Sequence, residues 1–274
     1  FGSDVWDACI AAGLELENWL PEYGAGQFEV TMTPHSALTA CDHAVILKEL
    51  IRHVARENKL RATFVPIPHP DAVGNGVHVH ISLTKNGKPH TYDPQGKAGL
   101  SSVAESAFAG VLDHAEGILA WTAPSQISAL RLTPHRWSAG GICIGRQNRE
   151  ALLRICPIPS GSDPNKIFNV EYRAADATAN PYLVMACLIN AMCDGLDRDL
   201  KIDQIVDDHV DNVDVPQLPA TLNQAIAAFK ADSVMQGWFP QDLIETHLGI
   251  RASEEATLAG LDNAAKCARY HQVY

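Results

Sequence analysis

The stretch "GNGVHVHISL", residues 74–83, sets polar side chains at every second position behind a pair of glycines. Successive side chains of an extended strand point to opposite faces, so His78, His80 and Ser82 share one face and the apolar residues between them share the other. A polar face that only meets water gives the same alternation as a binding or metal site that uses the imidazoles. The stretch predicts a half-buried strand, and the motifs elsewhere in the chain decide between these two interpretations.

The same alternation places carboxylates on two other predicted strands. Gln27 and Glu29 share a face in "GQFEV", and Asn169, Glu171 and Arg173 share a face in "NVEYR". Charged residues inside otherwise apolar strands are costly unless they are paired or bound to a metal. Carboxylate strands and an imidazole strand supply mixed oxygen and nitrogen ligands, which suit Mg²⁺ or Mn²⁺ better than a thiolate-bound zinc ion. We therefore predict a divalent cation site.

Arginines are concentrated in one stretch of an otherwise acidic protein, at Arg131, Arg146, Arg149, Arg154 and Arg173. This grouping favours a pocket for carboxylate and phosphate groups over a solvated surface. A metal beside an arginine cluster is typical of phosphoryl transfer, in which catalysis consists mainly of positioning and charge neutralisation. The chain has no GxxxxGK[ST], GxSxG or HExxH motif, so P-loop chemistry is excluded and the common hydrolase mechanisms have no support.

The composition bounds the class of protein. The chain has 274 residues and a net charge of -11, with 46% hydrophobic and 19% charged residues, as in an ordinary globular protein. An acidic balance argues against general binding to nucleic acids or acidic membranes. The seven cysteines form no CxxC pair, and we interpret them as reduced core residues of a cytoplasmic protein. The first residue is not methionine, which favours a fragment or a processed product.

The order of apolar patterns predicts an α+β fold with a largely antiparallel sheet flanked by helices. We expect helices at residues 3–20, with Ser3 as the N-cap, at about 39–58 and 102–121, after Asn180-Pro181, and in three pieces beyond Pro216. We expect strands at "ATFVPIP" and on both sides of the basic loop in "GGICIGRQNREALLRICPIP", and a hairpin turn at Asn86-Gly87.

Five motifs together resemble the catalytic domain of the glutamine synthetase family, in that family's order and approximate spacing: "EYGAGQFEV", "GNGVHVHISL", "RLTPHRW", "NREALLRICP" and "NVEYRAADATANPYL". The resemblance covers the whole chain and weakens after about position 200. It implies a glutamine synthetase-like fold in which residues 1–274 form one catalytic domain. The family's smaller N-terminal β-grasp domain and its ExE metal strand are expected to be missing from these residues, so that the isolated chain would be inactive.

The resemblance also implies the ligands of a two-metal site for Mg²⁺ or Mn²⁺, which are Glu22, Glu29, His78 and Glu171. The residues that match the family's ATP contacts are His80, Ser82, Arg149 and Arg154, and those that match its glutamate contacts are Gly74, His78, Arg131 and Arg173. Arg131, Arg149 and Arg173 match arginines that act on the reacting groups. The implied reaction is two-step: ATP phosphorylates the side-chain carboxylate of glutamate, and an amine then displaces phosphate from γ-glutamyl phosphate. A cytoplasmic, ring-shaped homo-oligomer is expected by analogy with the family.

One position departs from the family pattern. Six residues after the arginine of the RLxP motif, glutamine synthetase proper has a glutamate that binds ammonium, whereas this chain has Trp137. An indole suits an organic amine through apolar and cation–π contact, although it also suits plain packing. The preferred hypothesis is therefore a γ-glutamyl amine ligase. The alternatives are an ordinary glutamine synthetase that uses ammonium and a non-catalytic relative that serves as a binding or structural protein.

Overall fold

The computed structural model describes residues 1–133, 136 and 138–274. Its β-strands are β1 (Leu16–Pro21), β2 (Phe28–Met32), β3 (Val79–Ile81), β4 (Thr84–Lys85), β5 (Lys88–Pro89), β6 (Gly141–Arg146), β7 (Ala151–Ile155) and β8 (Val170–Tyr172). Its α-helices are α1 (Gly2–Ala11), α2 (Ala37–Glu57), α3 (Ser102–Asp113), α4 (Ala115–Thr122), α5 (Pro164–Ile167), α6 (Pro181–Asp197), α7 (Leu222–Ala231), α8 (Ser233–Gln236), α9 (Gln241–Thr257) and α10 (Asn263–His271). The mixture confirms the predicted α+β class. Within the described part of the chain, no helix has both the length and the hydropathy to cross a bilayer.

A four-stranded sheet in the order β3-β8-β7-β6 forms the centre of the fold. β8 pairs antiparallel with β3 and with β7, which confirms the largely antiparallel sheet. β6 and β7 flank the predicted basic loop but run parallel. Residues outside the sheet stabilise the short connection between β6 and β7: the Asn148 side chain donates to the carbonyls of Val206 and Asp208 at 2.9 and 2.8 Å. Gln147 adopts a left-handed conformation (φ 57°) at the turn.

The N-terminal segment differs from the predicted helix over residues 3–20. Helix α1 ends at Ala11, and Gly13 follows with φ 79°, a conformation that ends helices readily. The chain then enters β1, which pairs antiparallel with β2, with Leu20 opposite Glu29. The predicted cap was also wrong, since Phe1 is the N-cap and Ser3 lies inside the helix. The apolar spacing suited a helix, but the partner strand β2 stabilises the extended form.

Several other predictions were confirmed in part. Asn86 and Gly87 both have positive φ (54° and 74°) and join β4 to β5, as a hairpin turn requires. The long helix predicted over residues 102–121 divides at His114 into α3 and α4. The chain beyond residue 216 contains α7 to α10 rather than three pieces. The strand predicted at residues 62–68 ("ATFVPIP") was wrong, because these residues, all described, form no strand. Their backbone hydrogen bonds to other segments run from the Phe64 amide to the Tyr274 carbonyl at 3.0 Å and from the Asn75 amide to the Pro66 carbonyl at 2.7 Å.

The main core lies between the helices and one face of the sheet. The other face of the sheet is therefore available for a functional site. Leu153, Val170 and Tyr172 are fully buried in this core. Because side chains alternate along a strand, Arg154 and Glu171 lie on the opposite face. Helix α6, which packs closely on α3 under the sheet, begins with the cap and proline that the sequence predicted: the Asn180 side chain accepts from the Tyr182 amide at 2.9 Å.

Candidate functional site

Glu171 lies at the centre of the polar face of the sheet. Its carboxylate is almost completely buried, with 2% of the side chain exposed. Oε1 lies 2.8 Å from His78 Nδ1 and accepts a hydrogen bond from Arg173 Nη1. Oε2 accepts from Arg154 Nη1 at 2.9 Å. A buried carboxylate with cationic and imidazole partners on both oxygens is a strongly ordered anionic centre.

The electrostatics of this centre keep Glu171 ionised. Burial by itself raises the pKa of a carboxyl, because the charged form loses its solvation. At Glu171 this effect is outweighed by the hydrogen bond from His78 and by the charge of Arg173, so that its pKa is well below the usual range. The opposite balance holds for the His78 imidazole, where burial dominates and lowers the pKa. The pair is therefore a carboxylate facing an imidazole, as metal binding requires.

Strand register explains why these side chains meet. His80 on β3 and Arg154 on β7 are both direct partners of Glu171 on β8, so the three form one row across the sheet. Directly opposed side chains on one face of a sheet lie close enough to interact. The His80 imidazole turns toward the next row and shares a hydrogen bond of 2.9 Å with Asn169 Oδ1. The predicted shared faces in "VHVHIS" and "NVEYR" are thus assembled into one surface.

The β1–β2 hairpin adds two more carboxylates to this surface. The pKa of Glu29 is raised by burial first and then by the negative charges of Glu22 and Glu171. Gln27 attaches the hairpin to the glycine loop, because its side-chain amide donates to the Gly74 carbonyl at 2.9 Å while its own oxygen accepts from the Gly24 amide. The negative charges of Glu22 and Glu171 disfavour the ionised form of Glu29, and a cation among the carboxylates would have the opposite effect.

This donor set fits a hard divalent cation. Glu22, Glu29 and Glu171 supply oxygen atoms and His78 supplies a nitrogen atom, which is the mixture that Mg²⁺ and Mn²⁺ accept. Burial is the largest cause of the raised pKa of Glu29, and such a cation would relieve the repulsion by Glu22 and Glu171 that adds to it. The structure brings His78 into contact with Glu171 and places Glu29 where it interacts with Glu22 and Glu171. The four predicted ligands do not, however, form one of the groups of described residues whose donor atoms all lie within 4.8 Å of one another.

Two glycines let the main chain approach this cluster closely. A Cβ atom on Gly74 would lie 2.9 Å from Arg131 Cγ, and one on Gly76 would lie 2.6 Å from His78 Nε2. Both distances are shorter than real Cβ contacts allow. The role of the glycines is therefore steric, because they make room for a histidine and an arginine that are themselves part of the site.

The arginines occupy different environments. Arg131 is buried, and its Nη2 donates to the carbonyls of Ala174 and Ala175 at 2.6 and 2.7 Å, so it braces the chain just after β8. The pKa of Arg173 is lowered by burial and by the neighbouring charges of Arg154 and Arg149, against the opposing effect of Glu171.

Arg154, Arg149 and Arg173 therefore form one positive cluster beside the carboxylate site. Arg146 does not join it, because its side chain bonds to Asp207 at 2.9 Å on the far side of the loop. The Nε atoms of Arg131 and Arg154 have no acceptor among the described residues.

Two predicted residues carry less structural support. Ser82 is exposed directly beyond β3, two positions after His80. Trp137, the predicted amine-pocket residue, lies outside the residues that the structure describes.

Cys156 is a site residue that the sequence interpretation missed. It is half-buried rather than in the core, and its Sγ lies 3.8 Å from Glu171 Oε2 and 3.6 Å from His80 Nδ1. Its position two residues after Arg154 was the available signal, because side chains two apart on a strand share a face. The interpretation of all seven cysteines as core residues was wrong at this position, and also at Cys193, which is exposed.

The polar face of the sheet combines the buried Glu171 carboxylate with neighbouring arginines, a combination that is suited to divalent cations beside phosphate or carboxylate groups. The family profile "Glutamine synthetase, catalytic domain" matches residues 1–270, and the chain belongs to the glutamine synthetase family. This agrees with the resemblance that the motifs carried.

Named relatives refine the comparison. The chain is 34% identical over 280 residues to the gamma-glutamylpolyamine synthetase GlnA3 of Streptomyces coelicolor, covering 99% of this chain and 60% of that protein. It is 36% identical over 254 residues to a glutamine synthetase of the same organism, covering 89% of this chain and 54% of that protein. The chain therefore spans little more than half the length of the curated relatives it matches.

Solved structures show the same likeness. A crystal structure of a glutamine synthase homologue superposes with a TM-score of 0.90 at 40% identity, covering 98% of this chain and 62% of the other. A GmaS/ADP complex superposes with a TM-score of 0.83 at 28% identity, covering 93% of this chain and 59% of the other.

Proposed function

We propose that the protein containing this chain is an ATP-dependent ligase that joins the γ-carboxylate of glutamate to an amine. The observation that carries the proposal is the Glu171 centre, where a buried carboxylate contacts His78 on one oxygen and Arg154 on the other. In a chain that belongs to the glutamine synthetase family, this combination of anionic ligands and guanidinium groups suits a metal–phosphate substrate.

The metal ligands in this proposal are Glu22, Glu29, His78 and Glu171, in sites for two or more Mg²⁺ or Mn²⁺ ions. The convergence of their side chains on one surface and the mutual repulsion of the carboxylates support the assignment. When bound, such ions neutralise phosphate oxygens and orient the transferred group. The protein's part is to hold the carboxylates in place before substrate arrives, and Gln27 does this for the hairpin by bonding the glycine loop.

The substrate contacts follow from the arginine cluster and the polar strand β3. We assign ATP contacts to His80, Ser82, Arg149 and Arg154, and glutamate contacts to Gly74, His78, Arg131 and Arg173. Guanidinium groups bind carboxylate and phosphate oxygens through paired donors, which supports these roles. In the first step, the γ-carboxylate of glutamate attacks the terminal phosphorus of ATP, and ADP leaves.

In the second step, the amine nitrogen attacks the carbonyl carbon of γ-glutamyl phosphate, the C–N bond forms, and phosphate leaves as the amine proton is lost. Arg131, Arg149 and Arg173 would stabilise the negative charge that develops on the phosphate and carboxylate oxygens.

An organic amine is the proposed acceptor. Trp137 in place of the family's ammonium-binding glutamate supports this, as does the likeness to a protein named gamma-glutamylpolyamine synthetase. Ammonium is the second candidate, because glutamine synthetases match this chain with a similar identity.

The test uses the longest natural chain that contains this sequence, with ATP, glutamate and Mg²⁺ or Mn²⁺. ADP release is measured across ammonium and a panel of polyamines, alkylamines, ethanolamine and anilines. Turnover with one class of organic amine and little with ammonium is expected. If ADP is released mainly with ammonium, the protein is an ordinary glutamine synthetase. If no amine gives ADP release and the protein binds no cation, the non-catalytic alternative is favoured.

Two variants make the test specific to the site. Glu171→Gln keeps the shape of the side chain but removes the charge, and it should abolish turnover. Gly249→Ala lies on the exposed side of α9 with no atom within 4 Å of the added methyl group, and it should leave turnover unchanged. We also propose that residues 1–274 act as one catalytic domain in a homo-oligomer, which mass photometry of the natural protein would test.

A further inference from the structure

The two oxygens of the Glu171 carboxylate face different sets of ligands. Oε1 faces His78 and Arg173, on the side assigned above to a hard cation. Oε2 faces Cys156, whose Sγ lies 3.8 Å away, and beyond it His80, whose Nδ1 lies 3.6 Å from the same sulfur. The three donor atoms on the Oε2 side all lie within 4.8 Å of one another.

We propose that His80, Cys156 and Glu171 bind a thiophilic divalent cation of the Zn²⁺ class, at a site that shares only Glu171 with the oxygen-rich one. Bond lengths of about 2.3 Å to sulfur and about 2.0 to 2.2 Å to nitrogen or oxygen set donor separations of roughly 3.3 to 3.7 Å in a tetrahedral site. The Cys156–His80 separation of 3.6 Å lies inside this range, and the Cys156–Glu171 separation of 3.8 Å exceeds it by about 0.1 Å. The donors of His80 and Glu171 lie within 4.8 Å of each other, so this pair closes by at most about 1.5 Å when the ion binds.

The groups that already contact these donors are compatible with a bound ion. Arg154 Nη1 occupies one lone pair of Glu171 Oε2 at 2.9 Å, and a carboxylate oxygen has a second. Asn169 Nδ2 donates to the Ile167 carbonyl, so the atom 2.9 Å from His80 Nδ1 is the Asn169 oxygen. When the ion binds, the imidazole proton must lie on Nε2, which leaves the Asn169 oxygen free to serve as a fourth ligand. The Cys156 proton passes to solvent as the sulfur–metal bond forms.

The thiolate decides the selectivity of this site. Mg²⁺ prefers oxygen ligands, whereas sulfur and imidazole together favour Zn²⁺ and its softer neighbours. An ion held here would occupy His80, a proposed ATP contact, and Glu171, a proposed metal ligand. It should therefore inhibit ligase turnover, and this consequence alone rests on the proposed function.

The test measures binding without ATP, glutamate or turnover. Co²⁺ is titrated into the full natural chain as a spectroscopic substitute for Zn²⁺, since a Co–thiolate bond gives a near-ultraviolet charge-transfer band. Zn²⁺ affinity is then measured by competition with a chromophoric chelator. We expect the band in the wild-type protein and its disappearance on addition of one equivalent of Zn²⁺.

Matched variants locate the ion. Cys156→Ser should abolish the band and weaken Zn²⁺ binding at least tenfold. Cys193→Ser, an exposed cysteine on α6 outside the cluster, should change neither. Glu29→Gln should keep the band, because Glu29 belongs to the other set of ligands. No band in the wild-type protein, or a band that persists in Cys156→Ser, would overturn the proposal, whereas an inactive ligase with an intact band would overturn only the proposed function.

Discussion

Gly76→Ala is the substitution that most directly tests how the glycine loop supports the site. The added Cβ atom would lie 2.6 Å from His78 Nε2, 2.9 Å from its Cδ2 and 3.1 Å from Arg131 Nη1. Ordinary contact begins at 3.4 Å, so the imidazole ring must withdraw by about 0.8 Å. A rigid shift of that size would take Nδ1 from 2.8 Å to as much as about 3.6 Å from Glu171 Oε1, where no hydrogen bond exists.

The expected consequence is weaker cation binding in a protein that still folds. Changes that misplace a metal ligand or its immediate support typically cost about 10- to 100-fold in metal affinity. We expect a loss of this size for Mn²⁺, measured by isothermal titration calorimetry on the longest natural chain. The thermal midpoint should fall by about 5 to 10 °C, because one charge-assisted hydrogen bond contributes about 1.5 to 3 kcal/mol.

The control is Gly249→Ala, which adds the same methyl group where nothing lies within 4 Å. It should leave Mn²⁺ affinity unchanged and stabilise α9 by up to about 1 kcal/mol, since alanine favours a helix over glycine. Equal Mn²⁺ affinity in Gly76→Ala and the wild-type protein would refute the steric role assigned to the glycine and the placement of His78 as a ligand.

Three further predictions concern the scaffold. Gly110→Ala should destabilise the protein by about 3 kcal/mol and lower its thermal midpoint by about 10 °C, because the new Cβ would lie 2.0 Å from the Ala191 carbonyl oxygen at the contact between α3 and α6. A thermal midpoint equal to that of the wild-type protein would contradict this. Asn180→Ala should cost about 1 kcal/mol in urea denaturation, since it removes the cap of α6, and an unchanged midpoint would count against the cap. Burial raises the pKa of Cys143 to about 11, so a disulfide reagent at pH 8 should label the exposed Cys193 well before Cys143; the reverse order, detected by mass spectrometry, would contradict the placement of β6.

Local features of the fold could be predicted wherever one segment carries its own signal. The turn at Asn86-Gly87 and the start of α6 at Asn180-Pro181 depend on the conformational preferences of the residues themselves. Prediction failed over residues 3–20, where the apolar spacing suits a helix but β2 provides a pairing partner from further along the chain. It failed again over residues 62–68, because β-propensity without an adjacent strand leaves the chain irregular.

The site residues divide in the same way, into features that one segment determines and contacts that depend on the tertiary structure. The sequence by itself determined which side chains of each strand are polar, because alternation is a property of a single strand, and its motifs were enough to indicate the family. Only the tertiary structure decided which of them meet. His80 and Asn169 are 89 residues apart, and Arg154 and Glu171 are 17 apart, so their contacts depend on the strand order β3-β8-β7-β6 and on its register. Cys156 became a site residue for the same reason, since no local pattern shows that its neighbours across the sheet are an imidazole and a carboxylate.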